Sequence, residues 1–208
     1  MGGHCSSHWA TTMHDRVHAE FAALCRRYPP GAAVLEVGAV PDASTLLALP
    51  ELAAARRVGI NLDGPSRFGG FEIVGGNANA MPEFADGSFD LVLCNAVLEH
   101  DPKFWLTLGE IRRMLRVGGI AMLGVPGYVR GQSPGAKLAG VLGRMVRSAW
   151  LSGVAASTPV LQVHDHPGDY YRFSEQAMRE VFFDGFAVLE QRAVMVPPRL
   201  IGVGRKLG

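Results

Sequence analysis

Short apolar runs alternate along the chain with stretches whose apolar residues recur at helical spacing. The short apolar runs are typical of strands buried on both faces of a parallel sheet. They lie at residues 33–38, 57–62, 71–76, 89–97 and 120–126. Helical spacing predicts helices over residues 13–27, 43–56 and 104–116, the second of them bent at Pro50. The alternation predicts an α/β fold with a Rossmann-like, doubly wound sheet.

Two of the predicted helices carry a clear apolar stripe, and these stripes predict which side chains face the sheet. In the first helix the stripe consists of Val17, Phe21, Leu24 and Cys25. In the helix over residues 104–116 it consists of Trp105, Leu108, Ile111, Met114 and Leu115. Three charged residues of that helix, Glu110, Arg112 and Arg113, are expected to face solvent.

The rhythm changes after residue 126, where an insertion precedes the last predicted elements. Residues 136–150 have apolar positions at helical spacing, which predicts a helix there. A helix over residues 175–183 and strands over 186–196 and 200–207 follow. We therefore expect a single domain over residues 1–208, with an N-terminal helical cap (1–30) and an insertion (127–173) that forms a lid over the substrate pocket.

The composition is that of a folded protein with a sizeable core. Of 208 residues, 48% are hydrophobic and 19% are charged, and the formal net charge is +1, so nothing indicates a nucleic-acid partner. Cys5, Cys25 and Cys94 lie far apart, and we expect reduced thiols in a cytoplasmic protein and no metal site. No apolar run approaches 18 residues, so no membrane-spanning segment is expected.

Polar residues follow each of the predicted parallel strands. Ligands of open parallel sheets bind outside the carboxyl ends of the strands, so these residues are candidates for one site. They are Glu36 and Gly38, then Asn61 and Asp63, then Asn77 and Asn79, and finally Asn95, Glu99, His100 and Asp101.

Three stretches together carry a resemblance to a known family. They are "VLEVG" (34–38), "VGINLD" (58–63) and "GNANAMPEFADGSFDLVLCNAVLEH" (76–100), which runs on to residue 126. With them the chain resembles the class I S-adenosylmethionine-dependent methyltransferases, in the small-molecule, type 11-like branch. The resemblance implies a seven-stranded sheet whose last strand is antiparallel, and S-adenosyl-L-methionine as cofactor.

The resemblance also implies roles for individual residues. Glu36 would hold the methionine amino end, and Asn95 with Ala96 would line the methionine portion. The backbone of Val37, Gly38 and Ala39 would run alongside the cofactor. Asn61 would bind the ribose hydroxyls, with Asp63 as the alternative. At the adenine, Asn77 would accept from the amino group, Ala78 would lie beside it and Met81 would pack on the ring.

The first loop departs from the usual pattern. Residues 38–43 read Gly-Ala-Val-Pro-Asp-Ala, without the two later glycines of the Gly-x-Gly-x-x-Gly fingerprint, which argues against a Rossmann dinucleotide site. Asn61 and Asn77 stand where the family usually has acids. Hydrogen bonds to charged groups contribute about 1.5–3 kcal/mol and neutral ones about 1 kcal/mol, so we expect each exchange to weaken cofactor binding about tenfold.

The richest polar cluster is "VHDHPGDYYRFS" (163–174). It supplies the candidate bases His166 and His164, ranked ahead of His100, since an imidazole suits proton abstraction from a hydroxyl or amine. The predicted substrate contacts are Tyr170, Tyr171 and Arg172, together with Trp150 from the insertion. Two other interpretations stay open: a hydrogen-bonded loop in which Arg172 pairs with an acid, or a metal site of His164, His166 and Asp169.

The predicted function is methyl transfer from S-adenosylmethionine to a small molecule by in-line displacement, with oxygen preferred to nitrogen as the acceptor atom. The first helix, with Trp9, His14 and His18, is expected to form another wall of the pocket. One alternative is a binding or scaffold protein that kept the fold without catalysis. Another is a membrane-associated lipid methyltransferase seated through Lys137, Arg144 and Arg147. The apolar insertion also allows a homodimer.

Overall fold

The computed structural model describes residues 14–128, 168–195 and 198–208. Within these residues, nine strands form one mixed sheet. In chain order they are β1 (Ala33–Val37), β2 (Arg56–Asn61), β3 (Ser66–Phe68), β4 (Phe71–Gly75), β5 (Phe89–Asn95), β6 (Leu115–Tyr128), β7 (Phe173–Ser174), β8 (Phe186–Val194) and β9 (Arg199–Lys206).

The strand order across the sheet is β3-β4-β2-β1-β5-β6-β9-β8, and β7 pairs with the end of β6. Strands β4, β2, β1, β5 and β6 are mutually parallel, whereas β9 runs antiparallel to both β6 and β8. Without the two short strands β3 and β7, seven strands remain, and the last of them, β9, is antiparallel to its neighbours. The predicted seven-stranded sheet with an antiparallel last strand is therefore confirmed. The short strands β3 and β7 were not predicted, and they extend the sheet at its edge and at the end of β6.

Helices cover both faces of the sheet, as a doubly wound fold requires. Helix α1 (Asp15–Arg27) lies on one face, and the four residues of its predicted stripe are all buried. Helix α2 (Phe104–Met114) lies on the other face and buries Leu108, Ile111 and Met114. A short helix α3 (Glu175–Ala177) continues into one π-helical turn (Met178–Phe182), close to the predicted helix over 175–183.

The prediction that Trp105 is buried is wrong. Its side chain is 53% exposed, because the neighbouring Phe104 takes the inward position at the start of α2. The Phe104 ring packs edge-on against Tyr171 and Phe173, with ring centroids 5.2 Å apart in both cases. Helix and strand also meet directly: Leu115 begins β6, so the helix ends two residues earlier than predicted.

The predicted helix over residues 43–56 is also wrong. Two 3₁₀ turns, Leu46–Ala48 and Pro50–Leu52, stand in its place. Proline lacks the backbone N–H of a helix interior and pushes the residue before it into an extended conformation. Leu49 shows this effect with ψ 129°, and it separates the two turns.

Several predictions fall outside the described residues. They are the helix over 136–150, most of the insertion (127–173) and the first part of the N-terminal cap (1–30). Within the part that the structure describes, α1 packs on the sheet, as expected of a cap. The division of the chain into these segments, and the lid itself, stay predictions.

Asp90, at the start of β5, joins that strand to the segment that leads into β1. Its Oδ2 accepts hydrogen bonds from the backbone N–H groups of Ala32 and Ala33, each at 2.8 Å, and its Oδ1 pairs with Arg116. We expect Asp90→Ala to lower the free energy of unfolding by about 2–4 kcal/mol, since it leaves two N–H groups unpaired. Urea denaturation measures this loss.

Asp184→Ala provides the matched control. That side chain is 79% exposed and lies 3.4 Å from Arg112, so its removal should change the free energy of unfolding by less than about 0.5 kcal/mol. Equal losses in the two variants would contradict the structural role of Asp90.

Candidate active site

The register of the parallel strands brings the predicted site loops to one edge of the sheet. Val37 of β1 pairs with both Ile60 of β2 and Cys94 of β5. In the same way Asn61 pairs with Gly75 at the end of β4, and Asn95 with Gly124 in β6. The loops after these strands therefore begin side by side, as the strand-end argument predicts.

The first loop begins at Gly38, where the backbone turns sharply. Gly38 has φ +83°, and a Cβ there would overlap the side chain of Val97, so this position requires glycine. The N–H groups of Gly38 and Ala39 donate to the carbonyl of Ile60 at 2.8 and 3.3 Å. Asn61 Nδ2 donates to the Ala39 carbonyl at 2.8 Å, so the start of the loop is held against β2.

Glu36 is buried beneath this loop with its hydrogen bonds directed into the protein. Its carboxylate accepts from Thr45 Oγ1 at 2.5 Å and from the N–H groups of Leu46 and Leu47, both at 3.1 Å. The carboxylate thus caps the first 3₁₀ turn. Burial raises the pKa of Glu36 to about 7, although the bonds from Thr45, Leu46 and Leu47 act in the opposite direction. Its predicted contact with the methionine amino end stays a prediction.

Asn61 and Asp63 follow β2 at the position predicted for the ribose. Asn61 uses its amide nitrogen on the Ala39 carbonyl, and its Oδ1 lies 3.4 Å from the N–H of Asp63. Asp63 is exposed. A carboxylate at position 61 would have no N–H to donate to the Ala39 carbonyl. The presence of asparagine instead of an acid therefore has a structural explanation.

The predicted adenine loop is folded around Asn77. Asn77 Oδ1 accepts from the N–H of Asn79 at 2.9 Å, and the Asn77 carbonyl accepts from the N–H of Ala80 at 3.0 Å. Ala78 packs against the core, and Met81 is fully buried, so both face inward. Asn77 Oδ1 keeps a second lone pair for a further donor.

Helix α2, together with Asp101 just before it, anchors this loop at two points. At the first, Asn79 Nδ2 donates to Asp101 Oδ2 at 2.6 Å and to Thr107 Oγ1 at 2.9 Å. The second is Met81, whose N–H donates to Glu110 Oε2 at 2.7 Å and whose carbonyl accepts from Arg113 at 2.9 Å.

Arg113 is the centre of the second anchor. It makes a two-point pair with Glu110, at 2.8 Å for both bonds, and also reaches the Phe84 carbonyl at 2.9 Å and Asp86 at 2.6 Å. These hydrogen bonds, chiefly that from Arg113, hold the pKa of Glu110 below its usual range. The expectation that Glu110 and Arg113 simply face solvent is therefore wrong. The sequence signal that could have revealed this role is the spacing of Glu110 and Arg113, since residues three positions apart on a helix can form an ion pair.

Asn95 ends β5 at the centre of the edge, and its Oδ1 is shielded from solvent. No residue that the structure describes donates a hydrogen bond to this oxygen. A Cβ at Gly124 would overlap it, so the glycine in β6 makes room for the amide. The next residue, Ala96, has φ +57° and donates its N–H to the Gly124 carbonyl at 3.0 Å.

The described part of the polar cluster lies beside the loop after β5. The Glu99 carbonyl accepts from the N–H groups of Tyr170 and Tyr171 at 2.8 and 3.3 Å. Arg172 makes a two-point pair with Asp169, both bonds 2.5 Å, so the predicted pairing of this arginine with an acid is confirmed. Tyr171 packs in the aromatic cluster and donates to the Pro102 carbonyl at 3.1 Å, whereas Tyr170 is 57% exposed.

Glu99 ties the same loop to β9. Its side chain is fully buried, and its Oε1 lies 3.1 Å from a guanidinium nitrogen of Arg199. His100 is half-buried next to it. The other candidate bases, His164 and His166, and the predicted contact Trp150 fall outside the described residues.

Among residues 14–128, 168–195 and 198–208, no cluster of histidine, cysteine and acidic side chains has the arrangement of a metal site. Cys25 and Cys94 are buried free thiols. Burial raises the pKa of the Cys25 thiol to about 12 and that of Cys94 well above its usual value, which disfavours the thiolate form of both.

The buried carboxyl of Glu36 predicts a pH-dependent stability. Its folded-state pKa of about 7 lies above the ordinary value of 4.5, so the folded state binds this proton more tightly than the unfolded state. The contribution to stability is full below about pH 4.5 and is lost as the pH rises through 7, by at most about 3 kcal/mol. Urea denaturation of wild type and Glu36→Gln at several pH values should show the wild type losing stability relative to the variant across this range. Parallel profiles would contradict the raised pKa.

Arg113→Lys tests the anchor of the adenine loop. Lysine cannot make the two-point pair with Glu110 while reaching the carbonyls of Met81 and Phe84. We expect the free energy of unfolding to fall by about 1.5–3 kcal/mol, and amide exchange to accelerate in residues 81–86.

Arg112→Lys is the control for this variant. Arg112 lies on the same helix but is 49% exposed and contacts Asp184 only at 3.4 Å, so the change should be below about 0.5 kcal/mol. Unchanged exchange in residues 81–86 of Arg113→Lys would show that the anchor is not needed.

Comparisons with known proteins bear on the same residues. The sequence profile of a family described as a methyltransferase domain matches residues 35–123, a little under half of the chain. An uncharacterized methyltransferase of Mycobacterium sp. (strain JLS) is 36% identical over 105 aligned residues. That alignment covers 46% of this chain and 39% of the relative, so the chain matches less than half of the relative's length.

Solved structures share the fold. One is the Burkholderia thailandensis 1,6-didemethyltoxoflavin-N1-methyltransferase with bound 1,6-didemethyltoxoflavin and S-adenosylhomocysteine. It has a TM-score of 0.60 and 18% identity over 93% of this chain and 80% of that one. The [4+2]-cyclase SpnF has a TM-score of 0.61 and 15% identity over 93% and 81%. The chain therefore matches a methyltransferase-domain profile over its central part and shares its fold with these solved structures.

Proposed function

We propose that the protein transfers a methyl group from S-adenosylmethionine to a small-molecule acceptor. The observation that carries this proposal is the bonding of Tyr170 and Tyr171 to the Glu99 carbonyl. It brings a distant polar segment to the strand edge where Gly38, Asn77 and Asn95 also lie. Methyl transfer needs a site for the cofactor and a site for the acceptor side by side, because the rate of transfer depends on aligning these two reactants.

The residues at the edge fit the predicted cofactor. Asn95 Oδ1 is a shielded acceptor that lacks a donor among the described residues, which suits the ammonium of a methionine moiety. Asn77 Oδ1 has a lone pair for an adenine amino group, and Gly38 permits close approach of the backbone. Glu36 fits less directly, because its carboxylate already accepts three hydrogen bonds.

S-adenosylmethionine, when bound, supplies a methyl group activated by its sulfonium. The chain's own residues then position the acceptor and exclude water. A base is needed only if the acceptor enters protonated, and the proposed order is His166, His164 and then His100. Oxygen is preferred to nitrogen as the acceptor atom on the general frequency of the two, whereas the Burkholderia neighbour is by its name an N-methyltransferase. Tyr170, Tyr171, Arg172 and Trp150 are the proposed acceptor contacts.

A binding protein without methyl transfer is the second candidate. The occupied carboxylate of Glu36 and the use of Asn61 Nδ2 on the Ala39 carbonyl favour it, since both groups are spent within the protein. The fold is also shared by a [4+2]-cyclase, so architecture does not determine the reaction.

The setting of the protein in the cell belongs to the proposal as well. In the described parts of the chain, no helix has the length and apolar character needed to cross a bilayer. We propose a cytoplasmic protein that acts on a small molecule without nucleic acid, and that can form a homodimer. The lipid-methyltransferase alternative depends on Lys137, Arg144 and Arg147, which lie outside the described residues.

Calorimetric titration with S-adenosylmethionine and S-adenosylhomocysteine tests the cofactor. We expect binding to both, and about tenfold tighter binding in Asn77→Asp, because a carboxylate can keep the bond from Asn79 and offer a charged acceptor to the adenine amino group. Transfer itself is tested by following radioactive methyl groups into a panel of small hydroxyl and amine acceptors.

Asn61→Asp is the contrasting variant. It loses the donor to the Ala39 carbonyl, so it should be less stable than wild type by about 1–3 kcal/mol and gain no affinity. Absence of heat and of any thermal shift at millimolar ligand would reject the methyltransferase proposal and favour the binding protein.

A further inference from the structure

Two polar atoms on the α1 face of the sheet are shielded from solvent and lack partners. They are Asn95 Oδ1 and His18 Nε2, and neither has a hydrogen bond to any described residue. Buried polar atoms are almost always bonded in folded proteins, so a pair of exceptions needs an explanation. Glu51 Oε2, Glu190 Oε1 and Gln191 Oε1 share this condition, but His18 Nε2 and Asn95 Oδ1 lie where a ligand is expected.

Contacts at Gly124 place Asn95 under helix α1. A Cβ at Gly124 would meet both Asn95 Oδ1 and the ring of Phe21, with Phe21 Cε2 at 3.2 Å. The amide of Asn95 and the Phe21 ring therefore lie side by side over one glycine. Asn95 is also level with Gly38 across the sheet, because Val37 pairs with Cys94 one position earlier.

The direction of α1 places His18 at the ligand edge. The end of the helix, at Arg27 and Tyr28, lines a cavity with Asp90, near the amino end of β5. The helix therefore runs from the carboxyl edge towards the amino edge. His18 precedes Phe21 by three residues, about 4.5 Å along the axis, so it lies beyond the level of Asn95 towards the site.

The helical wheel decides which way His18 faces. Val17 and Phe21 point at the sheet, whereas Arg26, on one flank, pairs with Glu51 in the second 3₁₀ turn. At 100° per residue, His18 projects between the sheet-facing direction and the Arg26 flank. That flank is the side of the first loop and its 3₁₀ turns. His18 is accordingly directed at the space between α1 and the Gly38 turn.

We propose that His18 and Asn95 together bind the amino-acid end of S-adenosylmethionine. Asn95 Oδ1 accepts from the α-ammonium, and His18 Nε2 donates to the α-carboxylate. An acceptor and a potential donor, both shielded and unpaired, complement the two charges of a zwitterion. Glu36 is already bonded to Thr45, Leu46 and Leu47, so this end of the cofactor needs other partners. The inference rests on the proposed function.

Two ligands that differ only at the amino-acid end provide the test. S-adenosylhomocysteine carries it, whereas 5′-deoxy-5′-methylthioadenosine has the same adenosine and thioether without it. In calorimetry, we expect His18→Ala to bind S-adenosylhomocysteine about ten- to a hundredfold more weakly than wild type does. The same variant should bind the methylthio compound with the affinity of wild type. His18→Gln should recover part of the loss, because its amide can still donate.

Arg16→Ala serves as the control, since that side chain is exposed on the same helix. It should bind both ligands as wild type does. In wild-type protein, the ¹⁵N resonance of His18 Nε2 should shift on addition of S-adenosylhomocysteine and not of the methylthio compound. This measurement needs no variant, so it holds even if His18→Ala folds poorly.

The outcomes separate the two proposals. If wild type binds neither ligand, the proposed function fails and this inference with it. A second outcome is that wild type binds both ligands, His18→Ala changes the two affinities by the same factor or not at all, and the His18 resonance responds equally to the two ligands. In that case the proposed function stands and the role of His18 is rejected.

Discussion

Parallel pairing of β1 with β2 and β5 is the constraint on which the site depends. The register sets Val37 level with Ile60 and Cys94, so three loops leave the sheet at the same height. A shift of one residue in the pairing of these strands would turn their buried side chains towards the opposite face of the sheet, so the register is fixed. The apolar side chains on both faces of β1 therefore hold the site together as firmly as any residue within it.

The glycine-poor first loop is compatible with this edge because the protein fastens it from several directions. Gly38 supplies the one backbone conformation that other residues rarely adopt, and the Ile60 carbonyl accepts the first two N–H groups of the loop. Asn61 holds the Ala39 carbonyl, and Glu36 caps the turn that follows. Side-chain hydrogen bonds thus fix the loop although it contains only one glycine.

Helix α2 plays the corresponding part on the adenine side. Asp101 and Thr107 hold Asn79, while Glu110 and Arg113 hold both backbone groups of Met81. The loop therefore has its shape before any ligand arrives, which reduces the ordering cost of binding. Across the site, the buried Glu99–Arg199 pair joins the loop after β5 to the antiparallel strand β9.

The sequence by itself determined the main strands, the α1 stripe and the resemblance to methyltransferases, because these depend on local periodicity and on residues close together in the chain. It also located the loops that carry the site, since strand ends follow from the strands. Only the tertiary structure decided how each polar side chain is used: Glu36 as a cap, Asn61 as a donor to Ala39, Arg113 as a loop anchor. It also replaced the predicted helix over residues 43–56 with two 3₁₀ turns and turned Phe104 inward in place of Trp105. The reason is physical: a hydrogen-bonding group takes whichever partner the folded chain brings within about 3 Å, and that partner is set by contacts tens of residues away.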